Sequence, residues 1–167
     1  MDQNTINLKV KIDTNNLYEF IMNNNYVSVR GVLSVLFSLA SGVGTVVFWN
    51  EFSCIQKALM IFMSLLFIVI TPLEYYFRAK RQVKKNFSEE FEYIFDESCI
   101  TIKKGEESSS LKWSEVMKVI NTKNLVAIYF TPIRAFIIPK RCIGEQFDEL
   151  KGLIEKNTSC YKFKMVK

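Results

Sequence analysis

The chain contains no histidine, and this absence removes much catalytic chemistry. Histidine is the usual general base near neutral pH and the commonest protein ligand for metals. The 167 residues hold only four cysteines, widely spaced and without a Cys-x-x-Cys pair. Disulfide frameworks and zinc sites depend on such spacings. We therefore expect no catalytic residues, no metal site and no cofactor, and a protein that is not an enzyme.

Charge is missing from two long stretches in the first half of the chain. Val32–Trp49 has 18 uncharged residues, which at about 1.5 Å per residue approach the hydrocarbon thickness of a bilayer. Ala58–Leu73 has 16, with Lys57 before it and Glu74 after it. We expect a transmembrane helical hairpin over residues 30–77. The alternative is a buried hairpin in a soluble protein, but so small a chain has little protein to cover it.

Acidic residues are absent from the segment that follows the hairpin, residues 78–86, which is strongly basic. It carries Arg78, Lys80, Arg81, Lys84 and Lys85, whereas 17 basic and 17 acidic residues balance in the rest of the chain. Basic flanks favour the cytoplasmic side, so we expect a multi-pass cell-membrane protein with both termini in the cytoplasm. These five residues should contact anionic headgroups of the lipid bilayer. Because no aromatic residues interleave them, we expect no nucleic-acid partner.

Small residues recur every four positions in the first apolar run, at Ser34, Ser38 and Gly42. Such a stripe lets helix backbones approach closely. We expect it to pack on the second helix of the same chain, and the alternative is a homodimer or a partner's helix. Pro72 should kink or end the second helix. Glu74 is interpreted as reaching the membrane interface rather than binding an ion.

Residues 1–29 contain one strand and one short helix. Apolar and polar residues alternate over Ile6–Ile12, which is typical of a half-buried strand. Asp13 or Thr14 can cap the helix that follows, and 23–25, three asparagines, should end it. Because a single strand is not stable alone, we expect this one to join the sheet beyond the hairpin.

Residues 87–157 predict six short antiparallel strands and a closing helix. The strands are expected near 91–95, 100–102, 111–113, 117–120, 125–130 and 134–138, with 104–110 as a turn. Pro139 should end the last strand, and a helical pattern begins at Gly144. Residues 158–167 are expected to form a loose basic tail.

Three segments carry a family resemblance: Leu111–Ile120 with its Trp-Ser-Glu-Val, Leu125–Phe130, and Ala135–Arg141 with its Ile-Pro-Lys-Arg. The chain resembles the YcxB-like protein family. That resemblance implies a bacterial α+β membrane protein, in which a transmembrane hairpin accompanies a small domain related to the pleckstrin-homology (PH) fold. The domain would be an antiparallel β-sandwich or barrel closed by a C-terminal helix. The resemblance implies almost nothing about function.

Three residues of this domain are candidate partner contacts: Trp113, Lys140 and Arg141. The alternatives are that Trp113 packs on the closing helix and that the two basic residues are merely solvated. Phosphoinositide binding is not favoured, because the turns at 96–97 and 106–107 are acidic.

We expect a non-enzymatic integral membrane protein that presents a PH-like module at the inner leaflet. Tethering raises the effective concentration of such a module for a protein or peptide partner, as in immunity, self-protection or regulation. One alternative is an oligomeric small transporter or channel subunit, although the helices offer few polar residues to line a pore. The other is a lipid-modifying enzyme.

Overall fold

The computed structural model describes residues 5–26 and 28–158. The chain divides into two units. The sheet unit comprises Met1–Leu17 and Val83–Lys167, and the hairpin unit comprises Tyr18–Gln82. Nearly all of the basic tail predicted at 158–167, with Cys160, lies outside the described residues.

The sheet unit is a mixed α+β fold with antiparallel sheets, as the sequence predicts. Its strands are β1 Ile6–Val10, β2 Phe91–Phe95, β3 Cys99–Lys104, β4 Glu107–Lys112, β5 Lys118–Asn121, β6 Leu125–Tyr129 and β7 Ala135–Pro139. They form one sheet in the order β1-β2-β3-β4 and another in the order β5-β6-β7. Within the described residues no strand pairing joins the two sheets, so the barrel alternative is not borne out.

Strand β1 lies at the edge of the four-stranded sheet. It pairs antiparallel with β2, in a register that sets Ile6 opposite Phe95 and Val10 opposite Phe91. Ile6, Leu8 and Val10 are buried while the residues between them are exposed, which is the pattern of a strand with one covered face. The sheet therefore takes an edge strand from before the hairpin.

The connection between β3 and β4 is much shorter than the sequence suggests. The turn predicted over 104–110 is wrong, because β3 runs through Lys104 and β4 begins at Glu107. Only Gly105 and Glu106 connect them, and Gly105 has φ +58°, which suits the first position of a two-residue type II′ turn. The serines at 108–110 resemble a loop in composition but form an exposed edge strand.

Strand β6 is the centre of the second sheet, and all five of its residues are buried. This confirms the expectation from its uninterrupted apolar sequence. Pro139 is the last residue of β7, as predicted. Helix α5 (Lys140–Ile143) follows, then a 3-10 turn and helix α6 (Phe147–Asn157), which buries Leu150, Leu153 and Ile154.

Four helices form or lead into the hairpin unit: α1 Thr14–Tyr26, α2 Val29–Val47, α3 Cys54–Leu65 and α4 Thr71–Asn86. Asp13 caps α1, since its Oδ1 accepts from Asn16 N at 2.8 Å. The predicted end of this helix at 23–25 is wrong. Asn25 remains helical, and its Nδ2 donates to Ile21 O, one turn earlier.

The second apolar helix does not end at Pro72. A π-helical turn, Leu66–Ile70, connects α3 to α4, which continues through Pro72 to Asn86. Proline lacks an N–H and its ring crowds the preceding turn, so a helix must widen or kink before it. Thr71 Oγ1 donates to Leu66 O at 2.8 Å within this widened turn. The expected kink is thus accommodated by the π turn.

Candidate membrane interface

The hairpin unit exposes apolar side chains and buries hydroxyl groups. Every large hydrophobic residue that is strongly exposed in the described chain, apart from Met117 and Ile133, lies between Val29 and Phe77. The buried polar residues of this unit are Ser38, Ser41 and Thr45. A water-soluble fold shows the opposite distribution. A contiguous apolar surface of this size marks an interaction or membrane surface.

One helical segment is long and apolar enough to cross a bilayer. It is Cys54–Asn86, 33 residues with mean hydropathy 2.1 in its most apolar window, of which none is buried. A second crossing is obtained only if Thr14–Tyr26 and Gly31–Val47 count together as one broken span. By length and composition the described chain therefore offers one span, or two on that condition.

The small-residue stripe of α2 faces α3. Ser38 Oγ donates to Met63 O at 3.0 Å, and Phe67 N approaches Ser38 Oγ at 3.4 Å. At Gly42 an added Cβ would lie 3.5 Å from Ser64 Cβ. Ser38 and Gly42 thus serve packing within the chain, whereas Ser34 lines a cavity.

Tyr26 supplies a hydrogen bond to a carbonyl that the π turn before Pro72 leaves without a helical donor. Nothing in the sequence around Tyr26 predicts this role. In the π turn, Thr71 N bonds Leu66 O, and the next N–H in that pattern would come from Pro72, which has none. The carbonyl of Phe67 loses its helical donor, and the Tyr26 hydroxyl donates to it instead. Leaving a carbonyl unpaired costs several kcal/mol in hydrocarbon and about 1–3 kcal/mol in a protein interior. The bond from Tyr26 therefore stabilises the helix at its break.

A cavity of about 530 Å³ adjoins this bond. It is lined by Asn24, Asn25, Tyr26, Ser28, Val29, Gly31, Ser34, Phe67, Thr71 and Tyr75. Tyr75 also stands edge-on to Tyr26, with ring centroids 6.3 Å apart. Amide and hydroxyl groups line it together with Val29, Phe67 and the tyrosine rings, so the lining is mixed.

The basic segment, residues 78–86, is helical. Arg78, Lys80, Arg81, Lys84 and Lys85 all lie on α4 and are all exposed. Their spacing spreads them over about half of the helix circumference, while Ala79 on the other side is fully buried. Lys84 and Lys85 in the last turn also suit the helix dipole. Within the described residues none of the five forms an ion pair, so their charges are available to a surface.

Trp113 is not available to a partner. It is 5% exposed, its Nε1 donates to Asp96 O at 2.8 Å, and its ring lies 6.3 Å from that of Phe95. It therefore fixes the β2–β3 turn from inside the sheet unit. Burial and a satisfied N–H correct the expectation of a partner contact.

The same turn is organised by the Asp96 carboxylate. Its Oδ1 accepts from Ser98 N, Ser98 Oγ and Cys99 N, each at 2.7 Å. These bonds, that of the Ser98 hydroxyl first, lower the pKa of Asp96 to about 2. The acidic turn is thus a structural Asx turn.

The two basic residues after β7 already have partners within the chain. Arg141 Nη1 lies 2.8 Å from Asp13 Oδ2, and its Nη2 donates to Lys11 O at 3.1 Å. Lys140 Nζ sits 5.5 Å above the Phe147 ring. Arg141 therefore holds the segment after β1 against α5, and a contact of Arg141 or Lys140 with a partner stays a prediction.

The described cysteines, Cys54, Cys99 and Cys142, are free thiols. Among the described residues no three His, Cys, Asp or Glu side chains lie close enough to hold a metal ion.

A comparison with protein families identifies the second half of the sheet unit. Residues 95–154 match the model of the YcxB-like protein family. The match covers 60 of the 167 residues, so the similarity concerns this region of the chain. The match runs from the last residue of β2 into α6 and confirms the resemblance predicted from Trp113-Ser-Glu-Val116 and Ile138-Pro-Lys-Arg141. No curated protein and no solved structure matches the chain.

Proposed function

We propose that this YcxB-like protein is an integral membrane protein whose hairpin, residues 30–77, spans the cell membrane twice. The sheet unit would be a PH-like, non-enzymatic interaction module at the cytoplasmic surface. The observation that carries this proposal is the inverted burial of the hairpin unit, where large apolar side chains are exposed and hydroxyls are buried. Contact of such a surface with lipid tails costs little free energy, whereas its contact with water is unfavourable.

The basic half of α4 supports the orientation. Five uncompensated positive charges just beyond the apolar surface favour the cytoplasmic leaflet, where each contributes about 1 kcal/mol near anionic lipids. Both termini would then be cytoplasmic, and so would the sheet unit.

The outer edge of β4 is the surface that suits a protein or peptide partner. β4 ends the four-stranded sheet, its residues 107–110 are exposed, and within the described structure no second strand pairs with this edge. An exposed edge offers unpaired N–H and C=O groups to an extended peptide. A partner bound there serves immunity, self-protection or regulation without any catalytic group in this chain.

Alkaline extraction tests the anchor. The full-length protein in native membranes should remain in the pellet after carbonate treatment and dissolve only in detergent. Release into the supernatant would contradict the membrane proposal. A membrane-impermeant thiol reagent should label Cys54 from outside intact cells, and protection of Cys54 would contradict the orientation.

Photo-crosslinking tests the partner surface. A photoreactive amino acid in place of Ser109, on β4, should capture a defined partner in intact membranes, whereas the same group in place of Lys123, in an exposed turn, should not. Equal capture at both positions would show random contact, and capture at neither would remove the β4 edge as the binding surface.

The 530 Å³ cavity, which hydroxyl and amide groups help to line, favours one second candidate, an oligomeric transporter or channel subunit. Flux through proteoliposomes, reduced by Ser34→Leu at the cavity wall, would support this candidate. Within the helix pair, Ser41 and Thr45 donate to carbonyls of their own helix, at Phe37 and Ser41, and so offer no free hydroxyl to a pore.

A further inference from the structure

The sheet unit has two strongly exposed large apolar side chains among its described residues, and both lie at one place. Ile133, 73% exposed, is in the loop between β6 and β7. Met117, 55% exposed, donates its backbone N–H to Tyr129 O at the base of the same loop. We call residues 130–134 together with Met117 the apolar tip. Every other large apolar side chain that the structure describes in this unit is at least partly covered, so the tip is a local exception.

The apolar tip is an ordered turn. Arg134 N donates to Thr131 Oγ1 at 2.9 Å, and Phe130 N donates to Arg134 O at 3.2 Å. Pro132 restricts the backbone between them. The Ile133 side chain is therefore presented outward by a preformed loop, and its docking needs little additional ordering.

A continuous row of aromatic rings connects this tip to the point where the chain leaves for the hairpin. Phe130 lies 4.6 Å from Phe136, which lies 6.0 Å from Tyr93. The row continues to Phe91 at 6.5 Å and Phe87 at 5.7 Å, the latter immediately after α4. The tip thus packs on the same group of aromatic rings as Phe87, the residue that follows α4.

Two basic residues flank the exposed isoleucine. Arg134 is exposed and its side chain has no partner among the described residues, while Lys118 Nζ is held 4.1 Å from the Tyr129 ring centroid. Near the β3–β4 connection, Glu106 and Glu107 are preceded by Lys103 and Lys104, with Gly105 between the two pairs. An apolar side chain between cations is complementary to anionic headgroups above acyl chains.

We propose that the apolar tip is a second membrane contact, which inserts Ile133 into the headgroup region of an anionic bilayer while Arg134 binds lipid phosphates. This inference rests on the proposed membrane anchor. It gives the sheet unit a fixed face toward the membrane and leaves the β4 edge to a partner. Contact of the tip with the membrane would then restrict rotation of the sheet unit.

Fluorescence quenching in vesicles tests the contact. The full chain, with Cys54, Cys99, Cys142 and Cys160 replaced by serine, receives one NBD label at Ile133→Cys or, as control, at Lys123→Cys in the β5–β6 turn. The proteins are reconstituted in phosphatidylglycerol-containing vesicles with brominated acyl chains. We expect a blue-shifted, bromine-quenched label at position 133 and an unshifted, unquenched label at 123. Both sites are exposed, so neither label should disturb the core.

Replacement of Ile133 distinguishes insertion of its side chain into the bilayer from a position merely near the membrane surface. With the label at Met117→Cys, Ile133→Asp should reduce the population docked on the bilayer roughly tenfold, since one buried aliphatic side chain is lost and a charge is gained. Arg134→Gln should reduce quenching in anionic vesicles and leave it unchanged in neutral ones.

The outcomes distinguish the tip from the anchor. A protein that resists carbonate extraction while its label at 133 remains in water would overturn the tip contact and leave the anchor intact. A protein that is extracted by carbonate but shows bromine quenching at 133 would retain the tip contact and lose the anchor. Absence of both would overturn both, and shielding of the label at 133 without bromine quenching would overturn the lipid contact in favour of a contact with protein, within this chain or with a second copy.

Discussion

The two units use similar apolar residue types in opposite ways. In the sheet unit, Phe95, Ile128 and Leu150 are completely buried, whereas in the hairpin unit Phe62, Ile55 and Leu39 are more than half exposed. Hydroxyl groups show the reverse pattern, since Ser38 and Thr45 are buried while the serines of β4 face solvent. This inversion of burial is what the proposed lipid environment of the hairpin unit predicts.

The largest expected effect is a loss of stability on removal of a buried phenyl ring from the sheet unit, compared with removal of an exposed one from the hairpin unit. Phe95→Ala should lower the free energy of unfolding of the sheet unit by about 3–5 kcal/mol, because it leaves a cavity beside Trp113. Phe62→Ala, at an exposed ring, should cost less than about 1 kcal/mol in detergent. Thermal unfolding followed by Trp113 fluorescence, in a Trp49→Phe background, measures the first. A comparable loss from Phe62→Ala would show that the hairpin is a conventional buried core.

A charge placed on the exposed apolar surface tests which solvent covers it. Leu39→Arg, near the middle of α2, should disfavour membrane insertion by about 2.5–3.5 kcal/mol if lipid surrounds the side chain. Val29→Arg, at the start of the same helix, should be tolerated because the side chain can reach the interface. Carbonate extraction of both variants provides the comparison. Equal retention of both would indicate that Leu39 faces water or protein.

The difference between the units also explains what the sequence reveals. Alternation over Ile6–Ile12 predicts β1 because one face of that strand is buried, and the two uncharged runs predict apolar helices. Only the end of strand β4 is predicted, from the strand expected near 111–113, because its serines have no core to face and show no period. Pro72 predicts a kink or an end of the second helix, and the sequence does not show that a π turn before it lets the helix continue.

The candidate sites were predicted less well than the elements, for a physical reason. The five basic residues are visible as a cluster, but their helical arrangement depends on α4 extending to Asn86. Tyr26 has no sequence signal, because its partner is a backbone carbonyl 41 positions away. Trp113 and Arg141 are conspicuous residues that the fold uses internally, through Asp96 O and Asp13.

Removing the Tyr26 hydroxyl should have an intermediate effect on the hairpin unit. Tyr26→Phe leaves the Phe67 carbonyl without a donor and should destabilise the helix pair by about 1 kcal/mol. Tyr75→Phe is the matched control, since the described structure gives its hydroxyl no partner. In a Pro72→Ala background, which restores a backbone N–H, the cost of Tyr26→Phe should fall. A double-mutant cycle in detergent measures this coupling, and strict additivity would refute the repair role.

The smallest effect is a pH dependence confined to the sheet unit. The pKa of Asp96 is lowered to about 2 in the fold, against an ordinary 3.8, so its ionised form stabilises the folded state. This contribution is complete above the unfolded pKa and is lost as the pH falls from about 4 toward 2. Asp96→Asn should therefore be less stable than the parent at neutral pH and approach it below pH 4.

Glu90→Gln, whose exposed side chain has no described partner, should differ little from the parent at any pH. Urea denaturation at each pH, followed by Trp113 fluorescence, gives the two curves. A constant difference between Asp96→Asn and the parent down to pH 2 would show that the carboxylate charge does not hold this turn.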